Sequence, residues 1–272
     1  MLTATRRFEF SAAHRYWRDD WSHAENERVF GKCISPYGHG HNYRLEVTIT
    51  GTLDAATGMV MNMTDLKALV NTVLEEFDHK HLNEDTPYFK EQMPTTENLV
   101  RVLWQLIAAR LPTVARLAHL RLYEQSDLWA DYDGADETIF ARAYTFASAH
   151  RLHAPSLSDA ENRAIYGKCN NPNGHGHNYT LEVSIAGTVD AATGMVIDLE
   201  ALDRTVRSVL DQLDFHHLDR ELAAFADKPS TAENIVVYLW GELAPRFEGR
   251  LCHLKLWETR NNTFTYSGPH AA

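Results

Sequence analysis

The sequence has few of the features that mark secreted or membrane-bound proteins. Its three cysteines, Cys33, Cys169 and Cys252, are too few and too widely spaced for a disulfide framework, so reduced thiols are expected. No segment approaches the roughly 20 consecutive apolar residues that span a bilayer, and no apolar run of signal-peptide length follows Arg6 and Arg7. These absences predict a cytoplasmic protein with no membrane partner.

Positive charge is also scarce. The 272 residues include 26 Lys and Arg against 37 Asp and Glu, a formal net charge of −11. This balance argues against nucleic acid or an anionic membrane as the main partner, while a local pocket for a phosphorylated small molecule stays compatible with it. A hydrophobic fraction of 44% is normal for a globular protein, and the length suits one large domain or two ordinary ones.

Chemically distinctive residues recur at an interval of 136 positions, which shortens to 134 between Glu124 and Glu258 near the end of each copy. The stretch GKCISPYGHGHNY at residues 31–43 returns as GKCNNPNGHGHNY at residues 167–179. Two such long copies indicate a tandem duplication rather than a solenoid. The acidic stretch DYDGADET reads as the linker, so the predicted domains are repeat one, residues 1–134, and repeat two, residues 135–272.

Each repeat shows the same pattern of predicted elements. Alternating apolar residues predict a strand that ends at His14 and a second strand from Tyr43, which is expected to form a hairpin with a short strand from Met59. Two amphipathic helices should follow, the first after an N-cap at Thr64 and the second after Thr95. With the strands that follow them, these elements predict an α+β fold with an antiparallel sheet.

The histidines suggest a metal site in each repeat. His39 and His41 are two positions apart on an extended backbone, so both side chains point to one side, and His14 comes from the end of another strand. Three nitrogen ligands with an open fourth position are typical of a catalytic zinc site. Repeat two repeats the set as His150, His175 and His177.

A cysteine precedes each histidine pair by six positions. Cys33 and Cys169 could be a fourth ligand, a small buried residue, or a thiolate base promoted by a nearby cation and an imidazole. Asp78 and His79 offer a carboxylate-oriented imidazole in repeat one. Repeat two has Asp214 followed by Phe215, which cannot move a proton.

Carboxylates at strand ends are candidate ligands for a polar substrate. Glu124 and Glu258 each close an otherwise apolar strand, where a carboxylate could accept two adjacent N–H donors of an aminopyrimidinone ring. Thr95 and Thr231 are most simply helix caps, with substrate binding as a lesser role.

Together these motifs resemble the 6-pyruvoyl-tetrahydropterin synthase family. The resemblance rests on FSAAH, GKC-x5-HGHNY, TGMV, FDHKHL, TTEN and LYE in repeat one, and on FASAHRL, GKCNNPNGHGHNY, TGMV, STAEN and LWET in repeat two. It covers essentially the whole chain, once per repeat. It implies two tandem tunnelling-fold (T-fold) units, each a four-stranded antiparallel sheet with two helices, which assemble into stacked rings.

The resemblance also implies roles for individual residues. The histidine triads would bind zinc, the cysteines and the Asp-His pair would transfer protons, and the strand-end glutamates would anchor a pterin. Carried over, the catalytic residues are Cys33, Asp78, His79, Cys169 and Asp214. The implied substrate is 7,8-dihydroneopterin triphosphate, from which triphosphate is eliminated, with Mg²⁺ considered as a companion of the triphosphate.

The two repeats depart from the family pattern in different places. Repeat one has ISPY at residues 34–37 where repeat two keeps the family-like NNPN, and repeat two has Phe215 in place of His79. The resemblance implies that a neighbouring subunit supplies the Asp-His pair, which suggests a composite site of Cys169, the repeat-two zinc and Asp78-His79. If like repeats face each other instead, Cys33 would be the active thiol. A homo-oligomer is implied, either a trimer of tandem chains or a stacked pair of such rings.

Two alternatives remain open at this point. A 6-carboxy-tetrahydropterin synthase of the queuosine pathway would use the same substrate and also split off a two-carbon fragment. Five residues between the cysteine and HGH resemble the pyruvoyl type, whereas the carboxy type usually has three. A pterin- or zinc-binding module without turnover is the second alternative, suggested by the histidine that repeat two has lost.

Overall fold

The computed structural model describes residues 2–269, which form two compact units. The first unit comprises the chain up to Ala141 together with Ala186–Asp198. The second comprises Arg142–Ile185 and the chain from Leu199 onward. A short segment of repeat two therefore belongs to the compact unit built by repeat one.

An antiparallel sheet is the framework of the first unit. Its strands are β1 (Thr3–His14), β2 (His39–Gly51), β3 (Lys80–His81), β4 (Ala115–Gln125) and β5 (Leu128–Tyr132). Their order is β5-β4-β2-β1, and the two-residue β3 adds to β1 in parallel. The histidine-bearing ends of β1 and β2 are therefore neighbours.

Helices pack on this sheet, chiefly α2 and α4. The helices of the first unit are α1 (His23–Phe30), α2 (Met63–Leu74), α3 (Leu82–Asp85) and α4 (Thr96–Ala108). Apolar residues of α2 and α4, such as Leu66, Val70 and Leu103, are fully buried against Leu45 and Val47 of β2. Burial of each such side chain contributes about 1.5–3 kcal/mol, which fixes the sheet whose end carries the histidines.

The second unit repeats this arrangement. Its strands are β6 (Thr138–His150, in this unit from Arg142), β7 (His175–Gly187, in this unit up to Ile185), β8 (His216–His217), β9 (Leu251–Trp257) and β10 (Thr263–Tyr266). Its helices are α5 (Asp159–Tyr166), α6 (Leu199–Leu210), α7 (Leu218–Glu221) and α8 (Ala232–Leu243). The strand order is β10-β9-β7-β6, and β8 pairs in parallel with β6. Within residues 2–269, no helix is both long and apolar enough to cross a membrane.

The structure corrects two local predictions. Residues 59 and 60 form no strand, because the preceding turn closes on itself when Asp54 N donates to Met59 O at 2.9 Å. The N-cap of α2 is Asn62 rather than Thr64, since the Asn62 side chain accepts a hydrogen bond from Thr64 N at 2.8 Å. The predicted caps at Thr95 and Thr231 are confirmed for α4 and α8.

A polar cluster lies between β7 and β9 of the second unit. His253 Nε2 is 3.1 Å from Glu182 Oε1 and 3.0 Å from Ser184 Oγ, while its Nδ1 is 3.7 Å from Cys252 Sγ. Hydrogen bonding to Cys252 and then to Glu182 raises the pKa of His253 to about 9, against an opposing effect of burial. His253 is therefore protonated in the folded protein at neutral pH.

This cluster predicts a pH-dependent part of the stability. Because the folded pKa exceeds the ordinary value of about 6.5, the contribution of His253 is complete below pH 6.5 and is lost as pH rises through 9. His253→Gln should therefore destabilise the protein by about 2–3 kcal/mol at pH 6 and far less at pH 10. Urea unfolding of both proteins at the two pH values measures this, and an equal loss at both would contradict the assignment.

Candidate active site

Antiparallel pairing brings three histidines of the first unit together. His14 at the end of β1 pairs with His39 at the start of β2, and His41 follows two residues later on the same side. The Nε2 atoms of His14 and His39 are 3.2 Å apart. One potential ligand atom from each of the three rings lies within 4.8 Å of the others.

The second unit contains the same triad. His150 at the end of β6 joins His175 and His177 of β7, again with their ligand atoms within 4.8 Å of one another. The ring centroid of His150 lies 4.6 Å from that of His175 and 5.2 Å from that of His177. The duplication has therefore preserved the site as well as the fold.

The surroundings favour the neutral imidazole, the form that binds a metal, at four of these histidines: His14, His39, His150 and His175. Burial, assisted by the neighbouring His39 and His41, lowers the pKa of His14 to about 3. Burial likewise lowers the pKa of His39, His150 and His175 below the ordinary histidine value.

Hydrogen bonds to the backbone orient the buried member of each triad. His14 Nδ1 lies 3.2 Å from Pro94 O, and His150 Nδ1 lies 2.8 Å from Ser230 O. Donation from Nδ1 to a carbonyl selects the tautomer whose Nε2 lone pair faces the other two rings. This is the usual outer support of a histidine that binds a metal.

The triads fit a tetrahedral metal ion. Two nitrogens bound at 2.0–2.1 Å by such an ion lie about 3.3 Å apart, close to the His14–His39 separation of 3.2 Å. Among residues 2–269, His39 Nδ1, His41 Nε2, His150 Nε2 and His175 Nδ1 are buried ring nitrogens without a hydrogen-bond partner. A bound cation would satisfy those that face the centre of each triad.

A buried carboxylate lies beside the first triad. Glu124, at the end of β4, is 7% exposed, and its Oε1 is 3.5 Å from His41 Nε2. Its Oε2 accepts hydrogen bonds from Thr96 Oγ1 at 2.6 Å and from Tyr16 OH at 3.4 Å. Sequence reasoning placed Glu124 at this strand end but missed that Thr96, within the TTEN motif, and Tyr16 hold it, because repeat two has neither of these hydroxyl groups.

The corresponding carboxylate of the second unit is held less firmly. Glu258 Oε1 is 4.0 Å from His177 Nε2, and its side chain is 15% exposed. Ala232 and Leu152 stand where repeat one has Thr96 and Tyr16, and Glu258 Oε2 instead accepts from Asn262 Nδ2 at 3.2 Å. The two carboxylates are thus equivalent in position but differ in their hydrogen bonds.

The two cysteines lie on short turns of 3-10 helix that precede the triads. Burial and then the Glu124 carboxylate raise the pKa of the Cys33 thiol to about 11. Cys33 O accepts from Tyr16 N and Cys169 O accepts from Leu152 N, both at 3.0 Å, so the two turns are anchored in the same way. Cys33 therefore needs a nearby cation or proton acceptor before its thiolate can form near neutral pH.

The Asp-His pair lies on the surface of the first unit. His79 Nδ1 is 3.0 Å from Asp78 Oδ2, and Asp78 Oδ1 accepts from Ser11 N at 2.8 Å, which lowers the pKa of Asp78. The His79 side chain is 81% exposed, and within residues 2–269 no hydrogen bond joins it to Cys33. Asp214 makes the equivalent bond to Ala147 N at 2.7 Å, and Phe215 is 88% exposed.

Thr95 and Thr231 lie at the N-termini of the helices beside these carboxylates. The Thr95 hydroxyl accepts from Asn98 N and donates to Gly194 O, so both of its hydrogen-bonding roles are in use. The Thr231 hydroxyl accepts from Asn234 N at 3.4 Å. Their proposed contact with substrate stays a prediction.

The fold and the two triads define a duplicated α+β protein with, in each repeat, a histidine triad that could hold a metal ion. A family model described as 6-pyruvoyl tetrahydropterin synthase matches residues 3–135 and again residues 139–269. The chain therefore belongs to the 6-pyruvoyl tetrahydropterin synthase family, with one family unit in each repeat.

Known relatives match one repeat at a time. The 6-pyruvoyl tetrahydrobiopterin synthase of Drosophila melanogaster is 43% identical over 135 residues, which cover 48% of this chain and 80% of the relative. The human protein of the same name is 44% identical over 130 residues, which cover 47% of this chain and 90% of the relative. A solved structure of 6-pyruvoyl tetrahydropterin synthase from Caenorhabditis elegans is 41% identical, covers 49% of this chain and 96% of its own, and has a TM-score of 0.48.

These comparisons confirm three expectations from the sequence. The family resemblance and the tandem T-fold architecture are correct, and the chain is an enzyme of the tetrahydropterin synthase type. The long α2 and α4 are the two predicted helices, whereas α1 and α3 are additions that the sequence pattern did not reveal.

Proposed function

We propose that this protein is a zinc-dependent lyase that acts on 7,8-dihydroneopterin triphosphate and eliminates triphosphate, as 6-pyruvoyl-tetrahydropterin synthases do. The observation that carries this proposal is the histidine triad with a thiol-bearing turn and a strand-end carboxylate, present in each of the two units. The repeats that share this work are residues 1–134 and 135–272.

The histidine triads support zinc over harder cations. Neutral imidazoles are typical zinc ligands, whereas Mg²⁺ prefers oxygen ligands and would enter, if at all, with the triphosphate. Zinc at a triad would act as a Lewis acid on the hydroxyl groups of the substrate side chain.

The remaining residues divide the binding and proton-transfer work. Glu124, held by Thr96 and Tyr16, presents a carboxylate oxygen to the paired N–H donors of an aminopyrimidinone edge. Asp78 accepts from His79 Nδ1, which leaves His79 Nε2 free to take up or release a proton. A cysteine thiolate would remove a proton from a side-chain carbon while triphosphate departs with the electron pair of the broken carbon–oxygen bond.

The test is mass spectrometry of the products formed anaerobically from 7,8-dihydroneopterin triphosphate by the zinc-loaded protein. A 6-pyruvoyl product with released triphosphate is expected. A 6-carboxy product with a two-carbon fragment would instead assign the carbon-carbon lyase activity, and unchanged substrate with zinc bound would indicate a binding module.

A further inference from the structure

Two loops of the chain have the identical sequence DAATGMV. We call them turn A (residues 54–60) and turn B (residues 190–196). Gly58 N donates to Asp54 O at 2.8 Å, and Gly194 N donates to Asp190 O at 2.7 Å. The aspartate side chain also accepts from the backbone N of Thr57 or Thr193 at 2.8 Å in both. The two turns therefore have the same internal hydrogen bonds.

Turn B is docked within the first compact unit. It lies on a surface that we call acceptor A, formed by Met93, Thr95, Glu97 and Asn98. Thr95 Oγ1 donates to Gly194 O at 2.5 Å, and Val196 N donates to Glu97 Oε1 at 3.0 Å.

The fit of turn B is close. A Cβ atom at Gly194 would lie 2.8–3.0 Å from atoms of Asn98, Met93 and Thr95, so only glycine is tolerated there. Thr95 is 1% exposed and Glu97 is 3% exposed, and burial raises the pKa of Glu97 to about 7.

Turn A has no such cover. Residues 52–59 are exposed, Met59 is 41% exposed, and a Cβ atom at Gly58 would meet nothing within 4 Å. Since the two turns have one sequence and one set of internal bonds, turn A carries the same docking groups as turn B.

The second unit carries the matching surface, also exposed. We call it acceptor B, formed by Pro229, Thr231, Glu233 and Asn234, the residues 136 positions after acceptor A. Thr231 caps α8 as Thr95 caps α4. Glu233 is exposed where Glu97 is buried, and Thr231 and Asn234 are partly exposed.

We infer that turn A of one chain docks on acceptor B of a second copy of this chain. The two hydrogen bonds of turn B would be repeated, from Thr231 Oγ1 to Gly58 O and from Val60 N to Glu233 Oε1. Each chain offers one free turn and one free acceptor, so the contact is head to tail and continues until the chains close into a ring. Arg18, which donates to Ala192 O in the docked turn, has Ala154 as its counterpart, so the new contact lacks that bond.

Docking would also complete the site of repeat two. In the first unit the docked turn buries Glu97 close enough to Glu124 for the two carboxylates to affect each other electrostatically. Glu233 is the counterpart of Glu97 and becomes enclosed beside Glu258 only when a second chain covers it. This contact would join the subunits of the proposed homo-oligomer, and it follows from the contacts of turn B independently of the proposed reaction.

Light scattering on size-separated full-length protein tests this contact without any assay of turnover. The wild type should have a mass of at least two chains of 30.9 kDa each. Glu233→Arg should raise the concentration at half dissociation by roughly 100-fold, because it places a cation where Val60 N–H needs an acceptor. Glu233→Gln keeps an acceptor oxygen and should remain assembled, and circular dichroism checks that both variants are folded.

A photo-crosslinker at position 59 locates the contact directly. Peptide mass spectrometry should find crosslinks between chains to the segment around residues 229–234, while the same probe at the exposed Val114 should not reach that segment. A monomeric wild type at micromolar concentration, or crosslinks from position 59 that map elsewhere, would overturn the inference. Loss of turnover with the contact intact would count against the proposed reaction alone.

Discussion

Cys169→Ala is expected to lower the rate of triphosphate release by about 10²- to 10⁴-fold, whereas Cys33→Ala should keep most of the wild-type rate. A positioned group that transfers a proton in the transition state contributes a factor of this size. Steady-state kinetics on 7,8-dihydroneopterin triphosphate, with kcat and KM measured separately, provides the comparison.

The asymmetry is expected because only one repeat retains the imidazole of the Asp-His pair. His79 is 81% exposed and is not hydrogen-bonded to Cys33. This favours proton exchange between His79 and a cysteine other than Cys33. If Asp78 and His79 of repeat one exchange protons with the thiol of repeat two, then Cys169 has an imidazole that can accept its proton. Cys33 would then be left with Asp214 and Phe215, which has no group that can carry a proton.

Two further variants sharpen this comparison. Cys252→Ala removes the remaining thiol, which lies in the cluster between β7 and β9, and should leave turnover unchanged. Phe215→His should restore part of the rate in the Cys169→Ala background, because Phe215 already has the φ of 60° that matches 58° at His79. Full turnover by Cys169→Ala together with its loss in Cys33→Ala would show that like repeats supply each other.

The sequence predicted the triads because two histidines of each triad lie close together in the sequence and the same pattern occurs twice. His39 and His41 lie on one strand. In both copies of the 136-residue repeat, such a pair occurs together with a histidine at the end of another strand. Antiparallel pairing of β1 with β2 then leaves little freedom in where His14 can lie. Site residues set by strand register were therefore accessible from the sequence.

The sequence did not reveal elements that depend on buried polar contacts. Helices α1 and α5 lack an apolar stripe, and their Asn26 and Asn162 are fully buried. Asn162 Oδ1 accepts from Ala154 N at 2.7 Å, and its Nδ2 donates to Ala154 O at 3.0 Å, which holds the segment before the cysteine turn. The capping box formed by Ser158 and Glu161 was the available signal for this helix.

His177→Ala is expected to remove one of two zinc equivalents per chain, and the double variant His41→Ala/His177→Ala should remove both. Loss of even an outer hydrogen-bond partner typically weakens a metal site about 10- to 100-fold, and loss of one of three ligands should exceed that. Mass spectrometric metal analysis after dialysis against a weak chelator measures the stoichiometry.

Replacement of zinc by cobalt tests the same prediction through the absorption of the bound metal, without an assay of turnover. A tetrahedral cobalt site should give visible absorption that falls by about half in His177→Ala and vanishes in the double variant, in proportion to the triads that remain. His23→Ala is the matched control, because His23 is a largely exposed histidine of α1 outside both triads. Retention of two zinc equivalents by His177→Ala would contradict the assignment of His177 as a zinc ligand, and unequal loss between His41→Ala and His177→Ala would reveal which repeat binds more tightly.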